Sequence, residues 1–161
     1  MSTPEAPAKK PSVRMTPDEV WKFVEDGHTG IFTTLRRDGV PIAMPIWYVC
    51  LDRAIYIGTR GKKLVRIKND PRASFLVEDG EYWAKLRAVH LTGRCEIVDL
   101  DPEMSRRYSA EMDRKYAKYR TSRSAMPSET RAVYQTALHG IVKFTPDERV
   151  LNWDNTKLGL G

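Results

Sequence analysis

Residues 30–59 read GIFTTLRRDGVPIAMPIWYVCLDRAIYIGT, and this stretch decides the fold class. Gly30 to Leu35 is β-branched and apolar, as a strand requires. Arg37-Asp38-Gly39 carries the Asp-Gly signal of a hairpin turn. Ile42 to Leu51 reads as a second strand, in which Pro45 demands an edge position or a bulge. Asp52-Arg53 turns the chain into a third strand, Ala54 to Thr59. Three strands with short connections predict an antiparallel meander.

Working outward, Thr16-Pro17-Asp18-Glu19 marks a helix start. Thr16 can cap, Pro17 suits the first helical position and Glu19 completes a capping box. Val20, Phe23 and Val24 give that short helix one apolar face, and Gly27 and Gly30 bracket its end. Downstream of the meander, Leu64 and Ile67 are three apart and Asn69-Asp70-Pro71 stops the segment, which predicts a second short helix. A strand from Ala73 to Val77 follows, then a turn at Asp79-Gly80. A long strand from about Trp83 to Val98 comes next, with Gly93 as a bulge. Asp101 and Pro102 open another helix, whose Met104, Tyr108, Met112 and Tyr116 form a stripe of period four. Thr121 to Ser128 reads as a loop. A last strand runs from about Leu138 to Phe144, and Arg149 to Trp153 adds a short extended piece. So many antiparallel strands curl up to remove their edges, which predicts a mainly β barrel with a few helices, an α+β fold.

The chain has 161 residues, a length that suits one domain. The expected division is a flexible tail over 1–14, rich in Pro, Ala, Lys and Ser, and a single domain over 15–161. No run of about 18 apolar residues is present, which argues against a membrane-spanning helix. The first residues lack the apolar segment of a secretory signal. Cys50 and Cys95 lie in apolar, strand-like runs without metal-ligand spacing; reduced, buried thiols of a cytoplasmic protein are expected. The net charge of +6 favours an anionic partner, such as a phosphorylated cofactor, an acidic metabolite or nucleic acid.

Chemistry concentrates between Thr59 and Arg66. A strand ends at Gly58-Thr59, a glycine follows, then two lysines open a helix. Free backbone N–H groups and the positive end of the helix dipole converge there on one point. Thr59 adds a hydroxyl, and Arg60, Lys62, Lys63 and Arg66 add charge for a phosphate. The spacing of a Walker loop is absent. The plainer alternative is a solvated basic helix face.

These segments resemble the pyridoxamine 5'-phosphate oxidase-like split β-barrel superfamily. Gly30 to Leu35 and Gly39 to Tyr48 resemble its opening hairpin. Ile55 to Thr59, with Lys63 and Asn69-Asp70-Pro71-Arg72, resembles its phosphate-binding segment. His90 to Val98 is similar to its central strand, and Phe144 to Asp154 to its closing Thr-Pro-Glu-Arg-Val-x-x-Trp segment. The resemblance implies a dimeric, FMN-binding-like split barrel with cofactor sites at the dimer interface, filled by FMN or by the deazaflavin F420. It places the phosphate on Lys63, with Thr59 and Lys62 as neighbours. It sets Trp47 on a strand beside the ring and Trp153 near the ring of the other subunit. Arg60 and Arg66 join on physical grounds alone.

The arginine-histidine pair of the true oxidase is missing near Trp153-Asp154-Asn155-Thr156-Lys157, which argues against that substrate. The chain looks more like the deazaflavin-dependent branch, and FMN and F420 both stay open. The basic run Arg106, Arg107, Arg114, Lys115, Lys118, Arg120 and Arg123 is a candidate acceptor for the acidic tail of F420, or a solvated helix face. The implied function is an oxidoreductase passing hydride between the cofactor and a small conjugated substrate. Tyr48, Tyr56 and Tyr82 are proton donors by type only. The alternative is a flavin- or haem-binding or sensor protein, with His28, His90 and His139 as its histidines. Nucleic-acid binding is disfavoured, because Trp83, Tyr108, Tyr116 and Tyr119 form no recognised platform.

Overall fold

The computed structural model describes residues 12–136 and 139–160, so most of the expected tail, and Leu138 in the last strand, lie outside the described residues. Helix α1 (Pro17–Asp26) starts with the expected capping box: the Thr16 hydroxyl accepts from the Glu19 N–H, and the Glu19 carboxylate accepts from the Thr16 N–H. Strand β1 (Gly30–Leu35) forms a hairpin with β2 (Pro41–Ile46). Strand β3 (Val49–Leu51) pairs with β4 (Ala54–Arg60) through a two-residue turn in which Asp52 and Arg53 both have positive φ, 53° and 58°. Helix α2 (Lys62–Asn69) follows, then β5 (Arg72–Asp79), β6 (Arg87–Val98), α3 (Pro102–Tyr116), α4 (Ser128–Thr136) and β7 (His139–Asp154). No helix of the described residues is long and apolar enough to cross a membrane.

All seven strands form one antiparallel sheet in the order β2-β1-β5-β6-β7-β4-β3. The expected run from Ile42 to Leu51 is therefore two strands, at opposite edges of the sheet, and the three-strand meander is two separate hairpins. Only Trp47 and Tyr48 join the two edges, so the sheet must curl until its edges meet at that corner. The barrel closes there by covalent chain, and no ladder joins β2 to β3. The break is tertiary in origin. The Tyr116 hydroxyl accepts from the Tyr48 N–H at 3.0 Å and lies 2.8 Å from the Tyr48 carbonyl, which takes Tyr48 out of any ladder. Pro45 sits on the edge strand, where its missing N–H costs nothing.

Strands β6 and β7 are long enough to serve both halves of the curl. At Gly93 the register slips opposite Pro146, so one bulge absorbs both the bend and the proline. A Cβ at Gly93 would stand 2.2 Å from the Thr145 carbonyl oxygen. Strand β7 is consequently continuous, where a strand and a separate extended piece were expected. Strand β6 begins at Arg87; Trp83–Lys85 is instead a turn of 3₁₀-helix. Helix α4 and a 3₁₀ turn at Arg123–Ala125 occupy the region expected as loop and its sequel.

The core fills the inside of the curl. Phe32, Phe75 and Phe144 are buried, and Phe75 sits 6.3 Å and 6.2 Å from the other two rings. Each such side chain contributes roughly 1.5–3 kcal/mol. Helix α2 plugs one mouth, with the Leu64 side chain against Gly140. Helix α1 plugs the other, where the Tyr48 hydroxyl donates to the Val24 carbonyl. Helix α3 covers the outside of β3 and β4. The outer face of the remaining strands carries one row in register, Pro45, Ile31, Leu76, His90 and Leu151, with no element laid over it among the described residues.

Candidate functional site

Strand β4 ends at Arg60 opposite His139, and the chain turns at once into α2. Gly61 makes the turn with φ 63° and ψ −131°, a conformation that other residues rarely adopt. No side chain caps the helix, and its first turn holds no acid. The first internal bonds come from the Leu64 and Val65 N–H groups to the Gly61 carbonyl, so the Lys62 and Lys63 N–H groups have no helical acceptor. The sixteen residues 54–69 carry five bases, Arg60, Lys62, Lys63, Arg66 and Lys68, and no acid. Lys62 and Lys63 make no ion pair among the described residues. A phosphate fits this donor set, because backbone N–H groups, the helix dipole and two ammonium groups coincide.

The site residues read from the sequence fall into two groups. Thr59, Arg60, Lys62, Lys63 and Arg66 gather at the β4–α2 junction. Arg66 is partly committed: its Nε donates to the buried Thr34 hydroxyl at 2.7 Å, which leaves its two terminal nitrogens. Trp47 and Trp153 lie elsewhere. Trp47 is in the link between the sheet edges, not on a strand, and stacks on Tyr116 at 4.6 Å with His28 against its edge. Trp153 pairs with Ala88 near the end of β7. It lies thirteen residues from Gly140, the partner of Thr59, which is roughly 40 Å of extended strand at about 3.3 Å per residue. Trp153 and the junction therefore lie at opposite ends of β7.

The basic run that begins on α3 and continues beyond it is partly committed to other contacts. Arg107 holds Asp52 through two bonds of 2.8 Å, Arg114 holds Glu111 and Arg120 holds Asp113. Lys115 points inward, 4.0 Å above the Tyr48 ring, with its amine buried and without a hydrogen-bond acceptor. Burial lowers its pKa to about 8, and Glu111 pulls in the other direction. Sequence reading placed Lys115 among surface charges, and the period-four stripe beside it gave no warning.

Of the tyrosines considered as proton donors, Tyr48 and Tyr56 are buried, and burial pushes the Tyr48 phenol far above its usual range. Tyr82 is 70% exposed. His28 packs on Trp47, Tyr116 and Tyr119, His90 stands in the outer row and His139 faces Arg60. Two adjoining clefts, of about 680 and about 570 Å³, share Asp79 and Arg87 and lie at the Trp153 end, away from α2.

The fold and this region together define a curled antiparallel split barrel with a basic, uncapped helix start at its mouth. The family model described as pyridoxamine 5'-phosphate oxidase matches residues 16–141, and the chain belongs to that family. Among solved structures it is similar to the conserved hypothetical protein Rv2991 from Mycobacterium tuberculosis. The two are 30% identical over 95% of this chain and 93% of that one, with a TM-score of 0.75. It shares the fold with the haem storage protein HutZ from Vibrio cholerae, at 12% identity, 86% and 94% coverage and a TM-score of 0.62. It also shares the fold with an F420 reductase, at 19% identity, 84% and 98% coverage and a TM-score of 0.59. No curated protein sequence matches significantly.

Proposed function

We propose that this protein is a homodimeric oxidoreductase that passes hydride between bound F420 or FMN and a small conjugated substrate. The observation that carries the reading is the uncapped α2 start, with its two unpaired lysines and no neighbouring acid. Lys63 is the principal phosphate ligand, supported by Thr59, Lys62 and the free N–H groups, with Arg60 and the terminal nitrogens of Arg66 adding charge. The cofactor, when bound, supplies the redox chemistry, and the chain supplies binding and orientation. Trp47 and Trp153 are the aromatic candidates for its ring. The likeness to an F420 reductase supports the deazaflavin, and the family description supports a flavin.

The dimer rests on the uncovered outer row. A row of four apolar residues and His90 crossing five strands is a surface that a second copy would cover. The separation of Trp153 from the junction supports a site completed between subunits. Two buried free thiols suit a reducing, cytoplasmic setting.

The test is an absorption spectrum of the purified protein, followed by titration with FMN and with F420. Saturable binding of one, weakened at least tenfold in Lys63→Ala with the fold intact, is expected. A Soret band with no binding of either cofactor overturns the reading in favour of a haem protein.

A further inference from the structure

Strand β1 alternates, with Gly30, Phe32 and Thr34 turned into the barrel. Thr34 is 1% exposed, and among the described residues only Thr34 and Asn155 are buried polar side chains. One bond accounts for each. The Asn155 amide holds the 3₁₀ turn by donating to the Trp83 carbonyl at 2.7 Å. The Thr34 hydroxyl accepts from the Arg66 Nε at 2.7 Å, across thirty-two positions of chain. Valine has the shape of threonine and would fill this core position with no hydroxyl to satisfy. The hydroxyl therefore serves Arg66.

Arg66 gains a direction from this bond and no counter-charge. It is half-buried and makes no ion pair among the described residues. A guanidinium is planar, so a bond to its Nε fixes the plane and the line of the two terminal nitrogens. Ordering so long a side chain costs rotamer entropy, which no carboxylate offsets here. Arg66 follows Lys62 by four residues and Lys63 by three, so the three stand together on one side of α2. Long helical side chains lean towards the helix N-terminus, here the uncapped first turn. A cation held still without an acid, beside two further cations and two N–H groups that lack helical acceptors, suits an anion that arrives from outside.

We propose that Thr34 is a positioning residue, which aims the terminal nitrogens of Arg66 at the phosphate of the bound cofactor alongside Lys63. This rests on the phosphate-anchored reading above and adds the buried group that orients one of its ligands. The experiment titrates the full-length chain with FMN and F420, and with riboflavin and the deazaflavin chromophore, which lack the phosphate. Thr34→Val is expected to keep the fold and to bind the phosphate-bearing cofactor about tenfold more weakly, while its phosphate-free counterpart binds as before. Thr34→Ser, which keeps the hydroxyl, is expected to retain wild-type affinity. Arg66→Lys keeps the charge without the rigid fork that Nε orients. It is expected to match Thr34→Val, and the double variant to lose nothing further. Wild-type affinity for the phosphate-bearing cofactor in Thr34→Val or in Arg66→Lys overturns the proposal. An equal loss for the phosphate-free compound also overturns it, because the bond then only holds α2 on β1. Should Thr34→Val not fold, the Arg66→Lys titration decides by the same two criteria. A wild-type chain that binds phosphate-bearing and phosphate-free forms equally, or binds neither, instead overturns the reading on which the proposal rests.

Discussion

Lys115 shows what one residue can do against its surroundings. Its ammonium rests on the Tyr48 ring, a favourable contact for a cation, but its burial favours the neutral amine. Its pKa falls from 10.5 to about 8 on folding. Between those values the unfolded chain holds a proton that the folded chain lacks, so this group's contribution to stability rises with pH. Lys115→Met is therefore expected to be more stable than wild type at pH 7, with an advantage that shrinks from pH 8 towards 10.5. Urea unfolding of both proteins across that range measures it. An advantage that does not change with pH would place the effect in packing alone. Cys50 and Cys95 act in the opposite sense, since burial raises each from 9.0 to about 12. Above pH 9 the unfolded chain releases those protons and the folded chain retains them. Both proteins are expected to lose stability there. The groups that face Lys115, Glu111 and Arg114 on its own helix with Cys50 and Asp26 opposite, are all within the same corner.

At the scale of elements, α3 docks on the barrel through one narrow fit. The Tyr108 hydroxyl lies over Gly58, where a Cβ would stand 2.7 Å from it but 3.9 Å from the ring carbon behind. Gly58→Ala is expected to cost about 1–3 kcal/mol by overpacking. Tyr108→Phe removes only the offending oxygen, so the double variant is expected to be more stable than the sum of the singles predicts. Additive losses in a thermal-denaturation cycle would show that the contact does not hold the helix. The sequence made α1, β1, α2 and α3 legible because each is bounded by local chemistry: a capping box, an Asp-Gly turn, Asn-Asp-Pro and an Asp-Pro start. It concealed the split at Trp47-Tyr48, because both residues continue an apolar run and the interruption comes from Tyr116, sixty-eight positions away. It concealed the 3₁₀ turn at Trp83 for a similar reason, since Asn155 pins that turn from the far end of the chain.

For the whole molecule, the open outer row makes a prediction about assembly. Leu76 stands between Ile31 and His90 in that row and faces away from the core. Leu76→Arg is expected to keep the fold and to sediment as a monomer, with cofactor binding lost alongside. A dimeric Leu76→Arg would move the interface to another face. The sequence by itself determined the strand-rich class, the starts of α1, α2 and α3, and the basic character of the α2 start, since these depend on residues adjacent in the chain. Only the tertiary structure decided which strands are neighbours, that the two hairpins lie at opposite edges, that most α3 bases are paired or buried, and that Trp153 lies at the end of β7 opposite the β4–α2 junction. The reason is physical: local signals set φ, ψ and capping within a few residues, whereas sheet order and ion pairing are fixed by burial of surfaces that meet only when the barrel curls.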